Sequence, residues 1–542
     1  MTSYKKILIL NSKEDVKLEE LDDNIHYYSI NSGFLLNNNS VNLNSQKYFH
    51  LTALNIKNEY IDIIADISKY IENDFKDLNY NIFYLTDLST KRTEYFKNFD
   101  YICHILLIKK ILSKENYSQI IFYNVPNEFI STINNFSKIN SIILKKKKIN
   151  YINFFNYLFS QLLFIYKLII IKLLLKLFKT NYEINKENNK YYFSTYPKNF
   201  INGKHIKYGS FTNNKSFYIL TLITDNIHQN FKILSFLSKI KEIKKYFLNN
   251  YIITDNYLKF TDIIFFIRFN FYYFDYVNKK IINHQIRDID FSLILKKNLK
   301  DSFLRLSRIV TLKLSYNRLS YKINHNCLFY YYLFEYPYGR MLNLSFNQIN
   351  IKKIGFQHGP TGYLKMICFL SKKDINSTLN NFLPDEIIAE DENSYKIYKD
   401  GNFKNISIMK SIYRLKYLDK LNKNNEKSNT HLIACGLHDG FILLKSLLKQ
   451  IHINKNIKYI VKLHPKATNK KLIYFINNSE YRNLVIASKK IEYYIENVDK
   501  IYFTYTSIGQ EAEYLGIDFE VIFSHYKLNE SIYCTKERLQ SI

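Results

Sequence analysis

Short apolar runs alternate along the chain with longer segments in which apolar residues return every three or four positions. The runs KKILIL at 5–10 and QIIFY at 119–123 predict buried strands, and EYIDIIADISKYIENDF between them carries the helical period. After the polar segment NYEINKENNK at 181–190, KYYFSTYP opens a second series whose boundaries blur through 216–350. From Asn350 the rhythm sharpens. INIKKIGF, DEIIAE, NISIMKS, HLIACG, KYIVKL and NLVIAS predict strands, whereas FILLKSLLKQIH and GQEAEYLG predict helices. Strand and helix alternate every 20–30 residues or so, the sign of βαβ units and a parallel sheet. There is no internal repeat.

One segment departs from this rhythm. The stretch from Ile149 to Tyr166 is uncharged for 18 residues, close to the length that spans a bilayer. Lysines 145–148 precede it, and Lys167, Lys172, Lys176 and Lys179 interrupt the apolar residues beyond Tyr166. On a helix, Lys172, Lys176 and Lys179 fall within roughly a 60° arc, a basic stripe on an apolar cylinder. Three arrangements stay open: a helix lying in the headgroup layer of an anionic leaflet, a buried core helix, and a transmembrane span. The first is the expectation, because a span would put the two flanking parts on opposite sides of a membrane, which fits poorly if they fold as one unit.

Composition narrows the class. The chain has 542 residues, with 23% charged and 47% hydrophobic, which is globular and long enough for two or three domains. Lys and Arg number 77 against 48 Asp and Glu, for a net charge of +29. Such a balance points to anionic partners, although a sequence crowded with Lys, Asn, Ile, Tyr and Phe and holding no Trp also fits an AT-rich coding bias. The lysines are spread evenly instead of clustering with aromatics, so no nucleic-acid partner is expected. Five scattered cysteines without a CxxC pair fit a reducing compartment, and the short apolar run at the N-terminus is an opening strand instead of a signal peptide. A cytoplasmic protein on the inner face of the cell membrane is expected.

With only 12 glycines and 6 prolines in the chain, nine glycines and four prolines between 337 and 516 suggest a ligand cleft built from loops. The polar residues there sit where predicted strands end. They are Gln357, His358 and Gly359 in IGFQHGPTG, and Lys462 and His464 in VKLHPK. Thr506, Ser507, Gly509 and Glu511 in YFTYTSIGQEA complete the set. A helix N-terminus after Ser507 suits a phosphate, with Glu511 placed for ribose hydroxyls and Lys462 for phosphate charge. Each also has a local explanation: Ser or Thr before a helix is an N-cap, and the following Glu completes a capping box. His438-Asp439 in GLHDG is a carboxylate–imidazole pair or a simple turn. Asp288-Ile289-Asp290 is the one DxD sequence weighed as a metal site; it falls in a helical-looking stretch and is expected to be a solvated helix face, so no metal is predicted.

A strand ending in HP, then about 40 residues later a strand ending in TS before a helix carrying EA and a Gly, resembles the nucleotide-binding lobe of GT-B glycosyltransferases. With LFEYPYGR, IGFQHGPTG, LPDEIIAEDENS and HLIACGLHDG upstream, residues 325–520 look like bacterial surface-carbohydrate biosynthesis proteins. That group is related to capsule Kdo transferases and, more distantly, to CDP-glycerol glycerophosphotransferases. The resemblance implies an α/β fold of two Rossmann-like lobes facing a cleft, into which the membrane-associating helix read from the residues is inserted. The N-terminal region 1–144 precedes the helix at 145–180; an acceptor lobe at 190–380, completed by 1–144, then faces a nucleotide-sugar lobe at 381–542. Together with the basic helix it leads to the expectation of sugar transfer from a nucleotide donor to a lipid-linked or membrane-proximal glycan in capsule or lipopolysaccharide assembly, with no cofactor expected. The alternatives are a non-catalytic scaffold, or transfer of a polyol phosphate from a CDP-linked donor. His358, His464 and Glu335 become catalytic candidates; Gln357, Gly359, Lys462, Thr506, Ser507, Gly509 and Glu511 become donor-binding ones. The family's small-residue turn appears here as Met409–Ser411, without its Gly, and the C-terminal crossover helix is expected to be short.

Overall fold

The computed structural model describes residues 5–541 except 19–24, 37–39, 76–78, 94–96, 146–151, 179, 181–187, 197–198, 202, 206, 214, 227–234, 281–282, 303–304, 324–325, 333, 348, 358, 376, 410–417, 419–420, 422–427, 438 and 465–469. Side chains of 152–156, 201, 210 and 302 are likewise outside the description.

Aromatic and β-branched runs make strands because such side chains pack well on a pleated surface. Here they build three parallel sheets. The first has five strands in the order Val41–Asn42, Ile25–Ser29, Lys5–Leu10, Tyr117–Tyr123, Asn140–Lys145. The second has seven, in the order Tyr251–Ile253, Phe217–Thr221, Lys190–Thr195, Leu328–Tyr331, Lys352–Phe356, Glu386–Ala389, Ile406–Ile408. The third has five, in the order Leu484–Ile486, Lys458–Lys462, Thr430–Ala434, Lys500–Phe503, Asp518–Val521. The neighbours in each sheet run parallel. The crossover helices cover the sheets, so the central strands are buried on both faces; Ile7, Leu8, Ile9 and Leu10 are all fully inaccessible.

The sheets divide the chain at other bounds than expected. Residues 5–145 form a sheet of their own instead of completing the one begun at Lys190. The second sheet continues past 380, because Glu386–Ala389 pairs with Ile354–Phe356 and Ile406–Ile408 pairs with Ile387–Ala389. Met409, at the small-residue turn, donates its N–H to Ala389 O at 2.8 Å.

The Asp288 reading is also overturned: Gln285–Ile286 and Ile289–Asp290 pair antiparallel, with Arg287 and Asp288 at φ 49° and 64° between them. A two-residue turn with both φ positive belongs to a β-hairpin, so the motif is a hairpin tip and not a helix face.

Beyond the third sheet, residues 522–541 cross to the first unit. The short helix Lys536–Gln540 lies against the helix Gln46–Asp74, and Lys47 Nζ donates to Gln540 O at 3.0 Å. The helix Ile152–Leu177 is docked along one side, where Phe164, Leu168, Ile171 and Leu175 are buried.

Candidate functional site

In a parallel sheet whose strand order reverses, ligands bind beyond the carboxyl ends of the two strands at the reversal. Each sheet here has one such point, and a polar group sits at each. In the first sheet Asn11 and Asn124 bond across it, Asn124 Nδ2 donating to Asn11 O at 2.9 Å. Asn31 joins them through Asn11 Oδ1 at 3.1 Å. In the second, the Tyr332 hydroxyl accepts from Thr195 N at 3.2 Å and also bonds Asn199. In the third, Thr504 Oγ1 donates to the Asp439 carboxylate.

The third sheet gathers most of the sequence candidates. Lys462 and His464 end one strand, Asp439 follows its neighbour, and Thr504 to Ser507 follow the strand beyond. Burial pushes the Asp439 carboxyl up to about 6, against the pull of Lys527 and of backbone N–H groups at Asp439 and Gly436. Lys527 Nζ lies 4.1 Å over the Tyr505 ring and bonds its hydroxyl. The helix Ile508–Leu515 starts at Ser507, whose side chain makes no capping bond; its Oγ instead faces Glu511 Oε1 at 3.4 Å. The local capping explanation for Ser507 is therefore not realised. Thr506 Oγ1 is shielded from solvent and has no hydrogen-bond partner among the described residues. Lys462 Nζ turns aside to Lys489 O.

The second sheet brings Glu335 and Gln357 to its own carboxyl edge. Glu335 is buried and accepts from the Tyr398 hydroxyl at 3.1 Å. The Gln357 amide is fully engaged, accepting from Glu390 N at 2.8 Å and donating to Gly359 O at 2.8 Å and Ser394 Oγ at 3.0 Å. It staples two strand ends together. His358 lies outside the described residues. The second and third edges touch where Gln510 Nε2 donates to Asp391 Oδ2 at 2.9 Å, so the strand ends at Gln357 and Tyr505 are linked through residues 390–391.

The first and third edges face each other. Lys445 reaches Asp15 at 2.9 Å, Lys471 reaches Glu14 at 2.7 Å, and the rings of Phe34 and His525 meet edge to face at 5.2 Å. Asn529 ties the same junction, its side chain donating to Thr504 O at 2.7 Å and its N–H to His50 Nε2 at 3.0 Å. The first and second units and the C-terminal segment meet beside it at a small cavity of about 10 Å³ lined by Lys91, Arg92, Thr93, Tyr336, Lys365 and Glu530, among others. That is room for about one water, not for a nucleotide. Burial lowers Lys91 to about 7, with Arg340 adding to the effect. A broader open hollow of about 780 Å³ lies at the opposite, amino ends of the second sheet, between Asn347, Lys352, Lys353, Asp385 and Asn405. None of the sequence candidates lines either hollow except by proximity of Tyr336 to Glu335.

Most of the clustered glycines are accounted for by packing within the protein. A Cβ on Gly362 would strike the Glu530 carbonyl, one on Gly401 the Cys368 carbonyl, and one on Gly509 would sit 2.5 Å from Tyr533 Cε2. These positions are bare because protein packs there. Only at Gly359, with φ of 110°, would a Cβ of the residues singled out meet open space. Among the described residues no group of three or more His, Cys, Asp or Glu is placed to hold a metal ion, and the five cysteines are buried and unbridged. Asn11, Asn31, Asn124, Lys91, Lys527 and Asn529 escaped the sequence reading, since Asn and Lys are too common in this chain to stand out.

No protein-family model matches the chain, and no curated protein matches it.

Proposed function

We infer that the protein is a metal-independent glycosyltransferase of surface-carbohydrate assembly, taking a nucleotide-activated sugar at the carboxyl edge of the third sheet. The observation that carries this reading is the opposition of the first and third sheets, carboxyl edge to carboxyl edge, with Asp439, Thr504, Thr506, Ser507 and Glu511 on one side and the Asn11–Asn31–Asn124 group on the other. The uncapped N-terminus of the helix Ile508–Leu515 offers N–H donors for a diphosphate, and Glu511 an acceptor for ribose hydroxyls. His464, at the end of the adjoining strand pair, is assigned to the leaving phosphate, as imidazolium donor while the sugar–phosphate bond breaks. The acceptor hydroxyl loses its proton to a base as the new glycosidic bond forms, a role given to His358 or Glu335. The acceptor in this reading is a lipid-linked or membrane-proximal glycan.

A non-catalytic role in polysaccharide assembly is the second reading; the saturated Gln357 amide and the tight junction favour it. Incubating the purified protein with CMP-, UDP-, GDP- and CDP-linked donors and measuring nucleotide release separates the two. Turnover of one donor, reduced at least tenfold in Ser507→Ala and Glu511→Gln, is expected; no binding or turnover of any donor rejects the enzyme reading.

A further inference from the structure

The helix Phe260–Lys279 carries a second apolar stripe, directed outward. Phe260, Ile264, Ile267, Phe271 and Phe274 are 42–75% exposed and fall within roughly an 80° arc of the helix. On the opposite side Phe266, Phe269, Tyr273 and Val277 are buried, so the stripe is not the face that holds the helix in the fold. The helix Ile152–Leu177 shows the same double character: Leu158, Leu162, Tyr166, Leu173 and Leu177 are 45–74% exposed within roughly a 100° arc.

The two helices run antiparallel. Tyr157 bonds Asn270 at 3.0 Å, the Phe164 and Phe266 rings lie 5.3 Å apart, and Leu168, Lys172, Lys259 and Ile263 share one crevice. From those contacts, a right-handed turn of the first helix and the reversed turn of the second bring both exposed stripes to the same side. Soluble surfaces seldom present so many contiguous large apolar side chains.

Charge says what covers the face. The helix 152–177 has no acidic residue, and the two on 260–279 are occupied, Asp262 with Arg318 at 2.6 Å and Asp275 with Lys279 at 2.6 Å. Exposed Lys176, Lys259 and Arg268 flank the stripes. Meanwhile the inner side of the first helix is fixed by polar bonds, Arg308 donating to Gln161 at 2.9 Å and to Ser160 at 2.6 Å. A helix held that way is not surrounded by lipid, and only 28% of its most apolar stretch is buried in the protein.

We propose that helices 152–177 and 260–279 together form a monotopic docking face for a bilayer carrying anionic headgroups, the aromatic and leucine side chains entering the headgroup–acyl boundary and the cations meeting phosphates. This rests on the membrane-surface part of the function above and names the surface; vesicle binding needs no donor, so its failure and the failure of the transferase reading are read separately. The test is flotation of the full chain with phosphatidylcholine vesicles with and without phosphatidylglycerol, for wild type, Phe271→Glu, Leu162→Glu and, as a control on a third-unit helix, Tyr474→Glu. The expected result is flotation with anionic vesicles only, lowered at least tenfold by either of the first two changes at unaltered melting temperature, and kept in the control. Should Phe271→Glu fail to fold, Phe271→Ser takes its place. Wild-type binding unaffected at Phe271, a dimer in solution that Phe271→Glu separates, or protein that resists extraction from membranes at alkaline pH would each overturn the proposal.

Discussion

Asp439 is the residue at which fold and chemistry meet most closely. It opens the helix Gly440–Ile453, accepts from Thr504 across the third sheet's reversal point, and is buried. Its native pKa of about 6 stands above the ordinary 3.8. The native state therefore holds the proton to higher pH than the unfolded chain, so this group weakens the fold progressively as pH rises from about 4 to 6 and remains unfavourable above that. The difference between 3.8 and about 6 corresponds to about 3 kcal/mol at full ionisation. Asp439→Asn keeps a hydrogen-bond acceptor for Thr504 without the charge. Thermal unfolding of both proteins between pH 4 and 7 is expected to show the variant gaining on wild type as pH rises, by up to that amount; a pH-independent difference would mean Asp439 is not buried as described.

At the scale of elements, the strand–turn–helix from Lys500 to Leu515 sets a tightly packed residue beside one with no capping role. Gly509 has no room for a Cβ beside Phe503 and Tyr533, whereas Ser507 caps nothing. Gly509→Ala is expected to cost about 1–3 kcal/mol by overpacking. Ser507→Ala is expected to change stability by less than about 0.5 kcal/mol. Calorimetry of the two variants checks this, and the reverse order would contradict the packing seen here. Elements of this kind were legible in the sequence: KYIVK, HLIA and GQEAEYL are strand, strand and helix where the hydrophobic period placed them. Their chemistry was less so. Gly509 and Gly362 stand out in a glycine-poor chain, but composition cannot distinguish a glycine that admits a ligand from one that admits a ring or a carbonyl. Asp288 fell in a helical-looking stretch because the hairpin is only two residues per strand, too short to set up an alternation. The outward stripe of 260–279 went unseen because a helix apolar on both sides has no clear polar face to mark it.

The whole molecule is three parallel sheets, each with a polar group at its strand-order reversal, and the first and third opposed. That arrangement was out of reach of the hydrophobic pattern, because the sheet an element joins is set by pairing over long sequence distances, as Lys190 with Leu328, and the units are joined by contacts such as His50 with Asn529. The first unit borders the third through Glu14, Asp15 and Phe34, and the second borders it through Asp391. The central claim is that a nucleotide-activated sugar binds at the third sheet's carboxyl edge. Amide hydrogen exchange of the full chain with and without CMP, UDP, GDP and CDP at saturating concentration tests it most directly. Binding of one of these with protection concentrated at residues 435–440 and 504–511 is the predicted result; binding of none, or protection confined to the hollow around Asn347, Lys353 and Asn405, would contradict it.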